Sequence, residues 1–189
     1  KINNNIFDAY VNPEEGGAWV LILQYNHLGG TNPALRIIPL GTNFPIETTN
    51  PLGTNEGASL VTWGHVDFNA LSAFPDNVAN LEIRLKGRIG SHPRVIHFKT
   101  AKIIDRYITN VGNSIDVRGN YTLLSGHTAN IPRLVNSSFA LQTLTNFPFY
   151  TGAAYHWGIQ GSVNRWEVDD FNNGFGQSTL HQIWIRYKP

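Results

Sequence analysis

Apolar positions along the chain fall into short runs separated by Gly, Pro and Asn. WVLILQY at residues 19–25 is rich in branched and aromatic side chains, and it predicts a buried strand. LEIRLKGRI at 81–89 alternates: Leu81, Ile83 and Leu85 share one face, and Glu82, Arg84 and Lys86 share the other. That is the pattern of a half-buried strand. RVIHFKT at 94–100 repeats it, with Ile96 and Phe98 inward, and Gly90-Ser91-His92-Pro93 reads as the hairpin turn between the two. Further strands are predicted at 35–40, 59–63, 103–108, 115–124, 139–144, 155–159, 165–168 and 180–187. Helical signals are few: NALSAF at 69–74, with Asp67 or Asn69 as cap and Pro75 as stop, predicts one short helix. The pattern predicts an all-β or β-rich fold, a compact antiparallel β-sandwich-like domain spanning 1–189, with long loops and at most one or two short helices.

Composition narrows the classes of function. Charged residues make up only 14 % of the 189, and Asn, Thr, Gly, Gln and Ser supply the polarity instead. Amides and hydroxyls are cheaper to desolvate than charges and both donate and accept hydrogen bonds, so such a surface suits neutral polar ligands. The net charge is +1 with no basic stripe, which argues against nucleic acid as a partner. No apolar run is long enough to span a bilayer, so membrane insertion is not expected. Cysteine is absent, which excludes disulfides and thiolate chemistry. A chain that starts at Lys1 without Met is expected to be processed, and a removed signal peptide together with sequons at Asn120 and Asn136 fits a secreted protein.

The densest chemistry lies in YHWGIQGSVNRWEVDDFNNGFG at 155–176. Asp169, Asp170, Asn172 and Asn173 precede Gly174, a spacing of hard oxygen ligands that fits either a calcium loop or a turn capped by its own Asx side chains. Ca²⁺ is the one cofactor this loop suggests. Tyr155, His156, Trp157, Arg165 and Trp166 are either core aromatics with polar neighbours or one wall of a sugar pocket, where a ring stacks on a pyranose and polar groups take its hydroxyls. WGHVDFN at 63–69 is a second cluster: His65 and Asp67, two apart, share a face of an extended segment. The WGH of 63–65 and the HWG of 156–158 are candidates to line one pocket. Arg94 can reach a ligand from the hairpin turn, whereas His92 and His97 fall on opposite faces and do not suit a shared metal. The Gly pair in HLGGTNP at 27–33 permits close approach to the backbone but lacks the context of a nucleotide loop. PLGTN occurs at 39–43 and again at 51–55 and reads as two similar loops. Neither G-x-S-x-G nor H-E-x-x-H is present. Glu56, Glu82, Glu167, Asp67, Asp116, Asp169 and Asp170 are the carboxylates from which a glycosidase pair would be drawn.

EEGGAWVLILQY, with Gly16, Gly17 and Trp19, resembles the Gly-Gly-x-Trp entry strand of fibrinogen-like and lectin-type extracellular recognition domains. The closing HQIWIRYKP, ending in 183–189, resembles the last strand of the same family. The family's cysteines and its central Trp-rich segment have no counterpart. The resemblance implies a calcium site at Asp169, Asp170, Asn172 and Asn173 beside an aromatic pocket at Tyr155, His156, Trp157 and Trp166. The expectation is a non-catalytic lectin, secreted and homo-oligomeric, that binds galactose or N-acetylgalactosamine on glycans or glycoproteins. Its ligand-binding residues would be His65, Asp67, Arg94, Tyr155, His156, Trp157, Arg165, Trp166 and Asn172. A polysaccharide hydrolase or lyase, and a structural subunit of an extracellular filament or capsid, are the alternatives.

Overall fold

The three longest strands among the described residues, each of nine residues, meet in one antiparallel sheet. The computed structural model describes residues 11–30, 80–90, 92–102, 115–131, 133–135, 150–151, 157–158, 167–169, 171–172 and 176–188. Among them the regular elements are all strands: β1 (Val11–Asn12), β2 (Trp19–His27), β3 (Leu81–Ile89), β4 (Val95–Thr100), β5 (Ile115–Asp116), β6 (Thr122–Leu123), β7 (Arg133–Val135), β8 (Tyr150–Thr151), β9 (Trp157–Gly158), β10 (Glu167–Val168), β11 (Phe171–Asn172) and β12 (Thr179–Tyr187). The fold is all-β, as the patterning predicts. The strands expected at 35–40, 59–63, 103–108 and 139–144 and the helix at 69–74 lie outside the described residues.

The main sheet runs β1-β2-β12-β3-β4-β6. The last strand in sequence, β12, sits between β2 and β3 and pairs antiparallel with both. β3 covers the whole alternating run. β4 starts one residue late because the Arg94 backbone N–H donates to His92 Nδ1 at 3.1 Å inside the turn. The run at 115–124 divides into β5 and β6 around a turn closed by Asn120 N–H donating to Val117 O at 2.9 Å.

One face of this sheet is apolar. Ile83, Leu85 and Ile89 of β3, Ile96 and Phe98 of β4, and Ile183 and Ile185 of β12 are all buried on it. The small sheet β11-β10-β9 packs here through Val168 and Trp157. The Trp157 ring lies directly on the backbone of β3: a Cβ at Gly87 would stand 2.3 Å from Trp157 Cζ3. A third sheet joins β5, β7 and β8.

The opposite face departs from the half-buried expectation. Glu82 is only 8 % exposed and Arg84 only 2 %. The cause is a β-bulge. Ile183 pairs with Leu23, but its neighbour Trp184 pairs with Leu21, so β2 carries one extra residue at 22. A one-residue slip exchanges the faces of every residue beyond it. Trp19 and Leu21 therefore join Trp184 on the charged side of β3. The Arg84 guanidinium carbon sits 5.0 Å from the Trp19 ring centre and 4.5 Å from that of Trp184. Arg186 stacks on Trp19 at 4.2 Å. Its Nη1 donates to Glu15 O at 3.3 Å in the β1–β2 turn, where Gly16 takes a left-handed φ of 86° and leaves room for the guanidinium. Burial pushes the Arg84 pKa down to about 10, against the opposing pull of Glu14 and Glu15.

Candidate functional site

Beyond the tryptophans the mixed face opens into a cleft at the end of the sheet. Leu180 on β12 pairs with Asn26 on β2 and with Arg88 on β3, so three adjacent strands place an amide, an aliphatic chain and a guanidinium in one row. In the next row Gln182 pairs with Lys86. Ser178 fastens the end: its Oγ accepts the Gly29 N–H at 3.0 Å and its carbonyl accepts the Gly90 N–H at 2.9 Å. The cleft holds about 290 Å³ and is lined by Asn26, Arg88, Gly90, Ser178, Thr179 and Leu180. No carboxylate is among these lining residues. Arg88 is exposed and Lys86 half-buried, and neither takes part in an ion pair among the described residues. Such a surface can hold hydroxyls through the amide and serine groups and an acidic group through the cations.

None of these lining residues was singled out from sequence. Arg84, Lys86 and Arg88 alternate along β3, but alternation alone marks only an outward face. Lys86 and Arg88 stand apart because Trp19 and Trp184 enclose Arg84, and that needs the strand pairing.

The sequence-predicted residues meet different ends. His65, Asp67, Tyr155, His156, Arg165, Trp166, Asp170 and Asn173 lie outside the described residues. Arg94 and Asp169, expected in a ligand set and a metal set respectively, form one ion pair, with Nη1 donating to Oδ2 at 2.8 Å. The Asp169 side chain is fully buried, while Arg94 stays half exposed and is held more firmly protonated by that hydrogen bond and charge. Asp169 has a φ of 56° and begins the two-residue turn between β10 and β11. Its carboxylate therefore serves Arg94; a divalent cation there would have to displace a guanidinium from Oδ2, and the buried Oδ1 has no hydrogen-bond partner. Asn172 pairs with Glu167 across that hairpin. Among the described residues no three His, Asp or Glu side chains gather as a ligand set.

Trp157 follows the core alternative of the two readings open for it. Expected as a binding residue, it is 1 % exposed, because the missing Cβ of Gly87 makes a slot that the indole fills. Its ring meets His181 edge to face at 4.7 Å. Trp19 and Trp184 are also buried, so all the described tryptophans are core rather than stacking platforms.

Burial lowers the pKa of three histidines, His181, His97 and His127. His181 Nε2–H donates to Glu167 O at 2.8 Å, and burial, helped slightly by His27, lowers its pKa from 6.5 to about 4. His97 Nδ1–H donates to Ser125 O at 2.6 Å, and the His97 backbone N–H donates to His127 Nδ1 at 2.8 Å. His127 Nε2–H donates to Ala129 O. Burial lowers both pKa values. His92, in the turn before β4, and His97, on β4, serve separate hydrogen bonds.

A depressed histidine pKa means that the unfolded chain binds the proton first. Stability is then full above about pH 6.5 and falls as pH drops toward 4. His181 alone contributes on the order of 3 kcal/mol to that loss, and His97 and His127 add in the same direction. The expected result is a steep fall in Tm between neutral pH and about pH 4.5. His181→Gln flattens it by about one proton's slope; an unchanged slope would show that His181 titrates normally.

No family model, curated protein or solved structure matches the chain.

Proposed function

We propose that the protein is a non-catalytic carbohydrate-binding domain whose site is the cleft between Asn26, Arg88, Ser178 and Leu180. The observation that carries the reading is the in-register row of amide, aliphatic and guanidinium groups beside a lysine with no ion pair among the described residues, at one end of the sheet. Sugar hydroxyls want convergent donors and acceptors next to a small apolar surface, and this row supplies both.

A hydrolytic reading is weaker. Among the described candidate carboxylates, Glu82 is locked onto Arg186 and Lys99, Asp169 onto Arg94, and Glu167 is buried, while Glu56, Asp67 and Asp170 lie outside the described residues. The low-charge composition, with polarity carried by amides and hydroxyls, is compatible with an extracellular setting and with glycoproteins as partners. A homo-oligomer would raise the weak affinity of a single shallow site through avidity. Galactose and N-acetylgalactosamine are the first sugars to test, with and without a calcium chelator.

Amide chemical shifts should move at Asn26, Arg88 and Ser178 on adding such a sugar. Asn26→Ala should weaken binding about fivefold to tenfold, the worth of a hydrogen bond of ~1–1.5 kcal/mol. Shifts confined to other parts of the chain would remove the cleft from consideration. Reducing ends released from a polysaccharide panel would favour a hydrolase.

A further inference from the structure

We infer that the cleft selects acidic saccharides, galactose-type chains that carry a carboxylate or a sulfate, over their neutral counterparts. The inference rests on the carbohydrate-binding reading and adds the charge of the ligand to it.

The argument starts from where the acids of this face lie. Glu82 Oε2 takes Arg186 Nε at 3.0 Å, Arg186 Nη2 at 2.8 Å and Lys99 Nζ at 3.2 Å. Glu14 and Glu15 act on Arg84, which stands between two indoles. The acids therefore cluster at the tryptophan end of the sheet. At the other end Lys86 and Arg88 share a face of β3, about 7 Å apart along the strand, with no ion pair among the described residues.

The field of this end is felt in the protein itself. Burial chiefly lowers the pKa of the neighbouring His97, and the charges of Lys86 and Arg84 add to it, against the hydrogen bond to Ser125 O and the weaker pull of Glu15. His97 is the register partner of Lys86, so no opposing charge reaches Lys86 from β4 at that position. On the other side of the cleft, Gln182 and Leu180 of β12 and Asn26 of β2 are uncharged.

The geometry suits one substituted ring. Arg88 offers a planar fork that matches carboxylate or sulfate oxygens, while Lys86 adds a point charge beside it. Asn26 stands two strand spacings from Arg88, about 9.5 Å across Leu180. A pyranose lying over Leu180 meets Asn26 with its hydroxyls and Arg88 with its acidic group.

The test is a calorimetric and NMR titration of the full chain with three probes of matched length: a neutral galacto-oligosaccharide, an oligogalacturonate and a sulfated galactan oligosaccharide. Inorganic sulfate is the control. At least one acidic probe should bind about tenfold tighter than the neutral one, with shifts at Asn26, Arg88 and Ser178. The advantage should shrink as salt rises from about 0.05 M to about 0.5 M. It should disappear in Arg88→Gln and fall in Lys86→Gln, both on the solvent side of the sheet and checked for folding by circular dichroism. The two acidic arms tell carboxylate from sulfate recognition.

Equal binding of neutral and acidic probes at the cleft overturns the charge inference and leaves the carbohydrate reading standing. Inorganic sulfate binding as tightly as the acidic probes also overturns it, since the saccharide would then contribute nothing. An acidic preference that survives Arg88→Gln and Lys86→Gln together overturns the assignment to these residues. Failure of all three saccharides removes both readings.

Discussion

Trp157→Ala is expected to lower the unfolding free energy by about 3–5 kcal/mol, the usual cost of emptying a buried aromatic site. The ring is 1 % exposed and rests on the bare backbone at Gly87, with its edge on His181. Removing it opens a cavity between the two layers at the point where the small sheet meets the large one. Gly87→Ala tests the same contact from the other side. Its methyl would meet Cζ3 at 2.3 Å and Cε3 at 3.0 Å, so the indole must leave its slot. Overpacking of this kind costs about 1–3 kcal/mol and occasionally more. The double variant is the sharper experiment. In Trp157→Ala the methyl of Gly87→Ala has room, so the two costs should fall short of their sum by about 1 kcal/mol or more. Urea denaturation of the four proteins measures this, and strict additivity would mean that the ring does not sit on Gly87.

The strands were the legible part of this chain. Alternation in the run at 81–89 placed Ile83 and Leu85 correctly inward, and Ile96 and Phe98 with them. The closing run at 180–187 became the central strand of the main sheet. What alternation does not carry is partnership. The extra residue in β2 opposite Ile183 and Trp184 transfers Trp19 and Leu21 to the charged face. That is why Glu82 and Arg84 are buried, although their pattern is that of a wetted strand face. Gly87 inside LEIRLKGRI was the overlooked signal, since a glycine within a strand often marks a close approach by another group.

The site was less legible for the same reason. Arg94 and Asp169 were both marked as chemically notable, but for separate tasks, and only the packing of two hairpin turns joins them. Polar neighbours in sequence leave Trp157 open to two readings, core aromatic or wall of a pocket. Its partners in space, Gly87 and His181, come from other strands. Asn26, Leu180 and Arg88 are separated by long stretches of sequence and become one row only through the pairing of β2, β12 and β3.

Glu82→Ala is expected to cost about 3–5 kcal/mol, because it strands a buried cation, Arg186, rather than merely deleting a salt bridge. One carboxylate oxygen accepts two hydrogen bonds from Arg186 and forms an ion pair with Lys99 Nζ. The Arg186 side chain is 5 % exposed, so it has little water to turn to. The side chain of Lys99, at 22 %, can swing outward and recover part of its hydration. The cost therefore falls mainly on Arg186, whose remaining supports are Glu15 O and the face of Trp19. Glu82→Gln keeps an acceptor but loses the charge, and should fall between wild type and Glu82→Ala. Replacing both partners, Glu82→Leu with Arg186→Leu, removes the uncompensated charge and should be less damaging than Glu82→Ala alone. That ordering separates a buried network from a surface one. If Glu82→Ala cost no more than about 1 kcal/mol, the value of an exposed pair, the bulge-driven burial of this face would be wrong, and the distinction between enclosed Arg84 and open Lys86 and Arg88 would go with it.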